Sequence, residues 1–216
     1  MEEFAKRKKS TYSCFEVETK SEFNPIKHIK RWGRNIRYAY QRVKYAYCDC
    51  DVWSIDWWFL NVVPNMLEDL KNTTNGYPDD PDDFSQALVG IGEPAEDDDE
   101  GMLKWKDTLS EMIFLFREAN KDTCTRENKY EKEYKQALAE FKKKYGVFGE
   151  GLKTEEEKAE EKESGSYRWY MLSDVPEYEE IDRLHSEEAQ KIQEYRNECK
   201  DKGFDLFKLW FWNLWD

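Results

Sequence analysis

The apolar residues of this chain recur mostly at helical spacing. Between residues 26 and 47 they lie three or four positions apart, which is the pattern of a helix with one buried face. We therefore expect that face to be buried, with basic residues on a second face of the same helix. The apolar residues of this helix are Ile29, Trp32, Ile36, Tyr40, Val43 and Tyr47.

Four later segments show the same period. Ile55, Phe59, Val62, Met66 and Leu70 fit one face of a second helix, in which Pro64 predicts a kink or a division into two abutting short helices. Further helices are predicted from about residue 102, from about 126 to 145, and after the proline at 176. The pattern predicts an all-α (mainly α) fold, a multi-helix bundle with an aromatic core, an acidic loop and a protruding C-terminal helical region.

Breaks in the pattern divide the chain into regions. We expect an irregular lead-in over residues 1–25 and a helical core domain over 26–146, which contains a mobile acidic loop at 79–101. Three glycines after residue 145 and a charged stretch predict a linker over 147–176. The C-terminal helical region, 177–216, is expected to pack on the core or on a partner. Because its last residues are apolar nearly all round, burial in the chain's own core is favoured.

Composition explains what would fill such a core. Aromatic residues make up 16% of the chain, with 9 Trp, 13 Tyr and 12 Phe, and each ring buries a large apolar area. The five cysteines are odd in number and irregularly spaced, which is not a disulfide framework. The N-terminus has no apolar leader, and no run is long enough to span a membrane. We therefore expect a cytoplasmic protein with reduced thiols and no membrane association.

Charge is distributed unevenly along the chain. The net charge is −13, but residues 1–50 hold twelve Lys/Arg and six Asp/Glu (net +6), and residues 51–216 hold 22 and 41 (net −19). The overall acidity makes general nucleic-acid binding an unfavoured interpretation, because phosphate contacts need basic side chains. A basic stripe on the first helix is a candidate binding surface. The alternative, which is favoured, is that these residues pair with the chain's own acidic regions. The stripe comprises Lys30, Arg34, Arg37, Arg42 and Lys44.

Aromatic side chains supply the other candidate contacts for a partner. Trp53 lies in the turn after the first helix, and Trp210 and Trp212 lie in the C-terminal aromatic segment. Exposed aromatic patches mark interaction sites, so this segment is also a candidate surface for a second copy of the chain.

Two groups of residues are candidate metal ligands. The first is Cys48-Asp49-Cys50-Asp51, where thiolates and carboxylates alternate. With two histidines in the chain, both distant in sequence, a corner between helices with half-buried cysteines is favoured there. The second is a carboxylate set, Asp51, Asp56 and Glu111, since helical bundles build divalent-metal sites from inward carboxylates. No phosphate-binding glycine loop, nucleophile elbow or zinc-protease motif is present, and we expect no cofactor.

The segment RWGRNIRYAYQRVKYAYCDCDVWSIDWWF resembles uncharacterised phage and prophage proteins of Gram-positive gut Firmicutes. These share an Arg-rich helix followed by an Asp-x-Trp-x-x-Asp core, which corresponds here to Asp51, Trp53 and Asp56. The turn at 76–78 and the downstream helix around Trp105 are also similar, so the resemblance covers roughly residues 30–145. It implies a phage origin and no established activity. Much of what such phages encode outside the virion acts against host defences or redirects host machinery.

The leading interpretation is a phage-encoded, non-enzymatic binding protein. It would sequester a host protein or a nucleotide-like ligand, as an inhibitor of an antiviral defence system does. The first alternative is a helical metal-dependent phosphohydrolase acting on nucleotides through the carboxylate set. The second alternative is a virion or assembly component that acts by self-association as a homo-oligomer.

Overall fold

The computed structural model describes residues 25–78, 93–94 and 99–215. The predicted lead-in before residue 25, and the acidic loop apart from residues 93–94 and 99–101, lie outside the described residues. In the described part the protein is mainly α-helical, which confirms the predicted fold class. None of its helices there combines the length and apolar character that crossing a membrane requires. The helices are α1 (Pro25–Tyr45), α2 (Asp49–Val52), α3 (Ile55–Thr73), α4 (Asp99–Ala119), α5 (Glu131–Tyr145), α6 (Glu155–Ser164) and α7 (Pro176–Leu209).

Short elements connect these helices. Strand β1 (Gly76–Tyr77) pairs in antiparallel register with β2 (Glu93–Pro94), with Gly76 opposite Pro94 and Tyr77 opposite Glu93. Single 3-10 turns occur at Glu150–Leu152, Leu172–Asp174 and Phe211–Asn213.

The chain forms two compact units. Unit 1 comprises Met1–Thr123 and Glu198–Asp216, and unit 2 comprises Cys124–Asn197. Helix α7 therefore starts in unit 2 and ends in unit 1. The segment 147–176, which the sequence predicts as a linker, contains α6 and two of the 3-10 turns and belongs to unit 2.

Aromatic packing around Phe116 of α4 forms the centre of unit 1. Its ring is fully buried and lies 5.2 Å from the ring of Phe59 in α3 and 5.3 Å from that of Phe204 in α7, centroid to centroid. A Cβ atom at Gly203 would lie 3.0 Å from the Phe116 ring, so the glycine permits this close approach. Other apolar residues of α4 and of the C-terminal segment pack around this centre. These include Trp105, Leu109, Met112, Leu206, Phe207, Trp210 and Leu214.

Helix α3 runs unbroken through Pro64, so the expected alternative of two abutting helices is wrong. Proline has no N–H, which leaves the carbonyl of Leu60 without its helical donor. The side-chain Nδ2 of Asn120, a fully buried residue just after α4, donates to that carbonyl at 3.5 Å. The polar group that the proline would orphan is thus satisfied from a neighbouring element.

Unit 2 has a separate core around Phe141 of α5. Leu172, Val175 and Tyr178 are buried against it. Thr154 caps α6, because its side chain accepts from the Glu157 N–H while the Glu157 carboxylate accepts from the Thr154 N–H.

Replacing Phe116 with alanine is expected to lower the free energy of unfolding by about 3–5 kcal/mol, because a fully buried ring leaves a cavity. The matched control is Phe114→Ala on the same helix, where the ring is 53% exposed and the loss should be about 1 kcal/mol or less. Urea denaturation of both full-length variants measures the difference. Equal losses would contradict the assignment of Phe116 to the centre of the core.

An ion pair in unit 2 predicts a pH dependence of stability. Lys153 Nζ lies 2.6 Å from Glu161 Oε1, and both side chains are largely buried. The hydrogen bond from Lys153, followed by that from the Arg168 N–H, lowers the pKa of Glu161 below its ordinary value. The folded state therefore gains stability from ionised Glu161 above that ordinary value and loses it as the pH falls through the lowered pKa.

Glu161→Gln should accordingly lower the thermal midpoint most at neutral pH, and the difference from the wild type should shrink as the pH falls towards about 3. Circular dichroism melts of the full chain at several pH values test this. Glu163→Gln, an exposed position on the same helix, serves as the control and should track the wild type at every pH. A deficit for Glu161→Gln that stays constant with pH would refute the assignment.

Candidate functional site: the basic helix and its cysteine corner

Helix α1 exposes the face that the sequence predicts to be buried. That expectation is wrong. Six large apolar side chains, which we call the α1 apolar face, are each between 59% and 90% exposed. The half-buried side chains of α1 are mostly polar and include His28, Arg31, Asn35 and Arg42. The members of the α1 apolar face are Ile26, Ile29, Trp32, Ile36, Tyr40 and Val43.

Basic side chains flank the α1 apolar face. The helix holds seven Lys/Arg and no Asp/Glu, so its formal charge is +7. Of the predicted stripe, Lys30, Arg34 and Lys44 are exposed, and the Lys44 ammonium lies 5.7 Å from the ring centroid of Tyr40. Because Arg37 and Arg42 account for only two of these seven charges, the other five give the segment a positive potential.

The remaining two basic residues of the predicted stripe join α1 to α2. Arg37 Nη2 donates to Asp49 Oδ2 at 2.7 Å, in a solvent-exposed pair that Gln41 reinforces through Asp49 Oδ1 at 2.9 Å. Arg42 Nη2 and Nε donate to the two oxygens of Asp51 at 2.6 and 3.2 Å. Arg37 and Arg42 therefore pair with acidic residues of the same chain, as the favoured interpretation of the sequence expects.

The Arg42–Asp51 pair differs from the Arg37–Asp49 pair because it is largely shielded from water. The Asp51 side chain is 4% exposed, and its Oδ2 also accepts from the Cys48 N–H at 2.8 Å. Breaking a buried pair leaves an uncompensated charge, which destabilises far more than breaking an exposed pair. Ala46 precedes the corner with a φ of 65°, in the left-handed region, and ends α1 by donating its N–H to the Arg42 carbonyl.

Two thiols lie inside the same corner. Cys48 is fully buried, Cys50 is half-buried, and their Sγ atoms are 3.4 Å apart. With Asp51 they form the one group of three potential metal-ligating side chains in the described part of the chain whose donor atoms all lie within 4.8 Å of one another. Arg42, however, already occupies both oxygens of Asp51, which leaves two sulfur atoms as available donors. A structural zinc site has four ligands.

The other predicted site residues do not converge on this corner. Trp53 is 90% exposed between α2 and α3. Trp210 packs on the buried Trp105 with ring centroids 5.3 Å apart, and Trp212 is largely exposed beside Phe211. Asp56 and Glu111 are exposed, and together with Asp51 they do not form a group of metal-ligating distance within the described residues.

One polar cluster in unit 2 was missed by sequence reasoning. The His185 ring stacks on Tyr134 with centroids 4.0 Å apart, and its Nε2 lies 2.9 Å from Glu131 Oε2. Hydrogen bonds from Lys135 and then His185 lower the pKa of Glu131. The sequence feature that could have pointed to this cluster is the rarity of histidine, because the chain contains two. The cluster ties α7 to α5 and offers one imidazole and one carboxylate, which is too few groups for a metal centre.

Comparison of the chain with protein-family models, with curated proteins and with solved structures finds no match.

The buried Arg42–Asp51 pair is expected to stabilise the corner more than the exposed Arg37–Asp49 pair does. Arg42→Gln should speed amide hydrogen exchange at Cys48 and Asp51 by about tenfold or more, because Asp51 would lose the partner of its buried charge. Arg37→Gln is the matched control and should change exchange there by less than about threefold, because its pair is exposed. Similar effects from both substitutions would show that the buried pair does not hold the corner.

Proposed function

We propose that this protein is a non-enzymatic binding protein whose α1 docks its apolar face into a groove on an acidic partner protein. The observation that supports the proposal is the joint exposure of six large apolar side chains on one side of α1. Contiguous apolar patches on a protein surface mark interaction sites, whereas scattered apolar residues do not.

The spacing of the exposed residues favours a protein groove. Ile29, Ile36 and Val43 are seven residues apart and all β-branched, and Trp32 and Tyr40 lie between them. With Ile29, Ile36 and Val43 at one heptad core position and Trp32 at the other, Ile26 and Tyr40 lie beside this row, and apolar anchors at steps of three, four and seven are typical of helices that bind in grooves. Four of the six side chains are Ile or Val, whereas membrane-surface helices carry mainly Trp, Phe and Leu on their apolar face, which favours a protein partner over a lipid surface.

Charge specifies the partner further. Because α1 carries seven basic and no acidic side chains, the rim of a matching groove is acidic. Lys30, Arg34 and Lys44 are exposed beside the α1 apolar face, and we assign the rim contacts to them. Complementary charge of this kind orients the partner and speeds association.

The proposal includes a biological setting. The predicted phage origin of residues 30–145 supports a host-cell protein as the partner, and we propose inhibition of an antiviral defence system as the role. A protein is favoured over a nucleotide-like ligand because a single helix presents a convex apolar surface, whereas small molecules bind in concave sites. No arrangement of the described residues favours the phosphohydrolase alternative, since Arg42 occupies Asp51 and the other carboxylates lie apart. Self-association of the chain through α1 is distinguished by the dimer measurement described below.

The proposal is tested by placing a photo-crosslinking amino acid at Ile36 of the full chain and exposing it to host-cell lysate. Leu103 on α4 is the matched control, because it is exposed to a similar degree outside α1. The protein captured from position 36 alone is identified and purified, and its affinity is then measured in solution. Trp32→Ser with Ile36→Ser should weaken Kd by about 10–100-fold, since buried aromatic and aliphatic anchors dominate such interfaces.

Raising the salt concentration should weaken binding further, and Arg34→Glu should reproduce that loss at low salt. Equal capture from positions 36 and 103, or an affinity that the α1 substitutions leave unchanged, would refute the proposal. Two alternatives to a partner protein, a lipid surface and a second copy of the chain, are tested directly. Flotation with vesicles of phosphatidylglycerol would indicate a lipid surface instead, and a concentration-dependent dimer lost in the Trp32→Ser, Ile36→Ser variant would indicate a second copy.

A further inference from the structure

The Cys48–Cys50 pair has the geometry of a reactive dithiol. The two Sγ atoms are 3.4 Å apart, well beyond the roughly 2.05 Å of a disulfide, so both are thiols that lie in contact. Cys50 is half-buried and Cys48 is fully buried behind it. A molecule arriving from solvent therefore meets Cys50 first.

Donors surround the buried sulfur of Cys48. It accepts from the Asp51 N–H, and the thiol and N–H of Cys50 and the guanidinium of Arg42 also interact with it. Burial raises the pKa of the Cys48 thiol, but these hydrogen bonds outweigh burial and lower the pKa below its ordinary value. Thiolate, not thiol, is the nucleophile in disulfide exchange.

We propose that Cys48 and Cys50 form a thiol–disulfide exchange site that low-molecular-weight disulfides oxidise to an intramolecular disulfide. In the first step the Cys50 thiolate, having lost its proton to solvent, attacks one sulfur of the small disulfide RSSR. A mixed disulfide forms at Cys50, and RS⁻ leaves and takes up a proton. In the second step the Cys48 thiolate attacks Cys50 Sγ and expels the second RS⁻. The pair loses two electrons, and RSSR is reduced to two RSH.

The surrounding groups favour this chemistry over metal binding. Both oxygens of Asp51 are held by Arg42, and a divalent cation would have to displace that guanidinium to gain a third ligand. Ring closure requires a smaller change, since the sulfur atoms need to approach by about 1.4 Å. The inference is independent of the proposed partner of α1.

The test uses the full chain in glutathione buffers of increasing oxidised fraction, followed by rapid alkylation, trypsin digestion and mass spectrometry. Cys48 and Cys50 fall in one tryptic peptide, residues 45–71, which carries two alkyl groups when reduced, and which carries none and is about 2 Da lighter than the unmodified dithiol peptide when the disulfide forms. Oxidation of this pair should proceed about tenfold faster than glutathionylation of Cys124, a half-buried thiol that serves as an internal control.

Single substitutions test the order of attack. Cys48→Ser should trap glutathione on Cys50, because the second step has no nucleophile, whereas Cys50→Ser should leave the buried Cys48 mostly unmodified. Cys199→Ser is the control and should leave the disulfide in the 45–71 peptide unaffected. Far-ultraviolet circular dichroism checks that each variant is folded. The oxidation series on the wild-type chain tests the proposal even where a variant does not fold.

Three outcomes would overturn the proposal. The first is that both thiols stay reduced in fully oxidised glutathione. The second is that Cys48→Ser fails to trap a mixed disulfide at Cys50. The third is retention of one Zn²⁺ per chain after dialysis that depends on both cysteines, because a metal-bound pair is not free to exchange.

Discussion

The ion pair between Arg42 and Asp51 is the interaction on which the candidate functional region depends. It joins α1 to α2, and the same carboxylate accepts the Cys48 N–H. Because Asp51 is buried, its charge is tolerable only while Arg42 neutralises it. The guanidinium also lies beside the Cys48 sulfur and favours its ionised form. One pair of charges therefore joins α1 to α2 and, after the larger effect of the Cys50 hydrogen bonds, helps to lower the pKa of the Cys48 thiol.

The corner belongs to unit 1, whose packed helices lie next to it in the chain. Helix α3 follows α2 directly and is held against α4 by the rings of Phe59 and Phe116. Helix α3 tolerates a proline in its interior because Asn120 donates a hydrogen bond to the Leu60 carbonyl, which Pro64 leaves without its helical donor. A buried amide placed in this way satisfies a polar group that would otherwise destabilise the core by about 1–3 kcal/mol. The aromatic core and the Asn120 hydrogen bond together stabilise α3, whose N-terminus follows the corner in the chain.

Helical periodicity predicted the fold class and the buried stripe of α4, because Trp105, Leu109, Met112 and Phe116 repeat with the helical period. It could not predict which amphipathic helices find a partner within the chain. The stripes of α1 and α4 look alike in sequence, yet one is exposed and the other buried, since burial depends on tertiary neighbours. The Arg42–Asp51 pair escaped prediction for a related reason. Its partners are nine residues apart across a left-handed turn at Ala46, and 47 acidic residues gave no local cue.

The exposure of α1 is difficult to explain by stability alone. Burying a large apolar side chain contributes roughly 1.5–3 kcal/mol, so six exposed ones forgo on the order of 10 kcal/mol, which is comparable to the whole stability of a domain. An isolated helix of this length is marginal in water, and seven like charges destabilise it further. A partner with an acidic, apolar groove would remove both penalties at once. In the proposed complex, the same arrangement that weakens α1 in the free protein would supply the driving force for binding, while the buried ion pair keeps the end of the helix joined to α2.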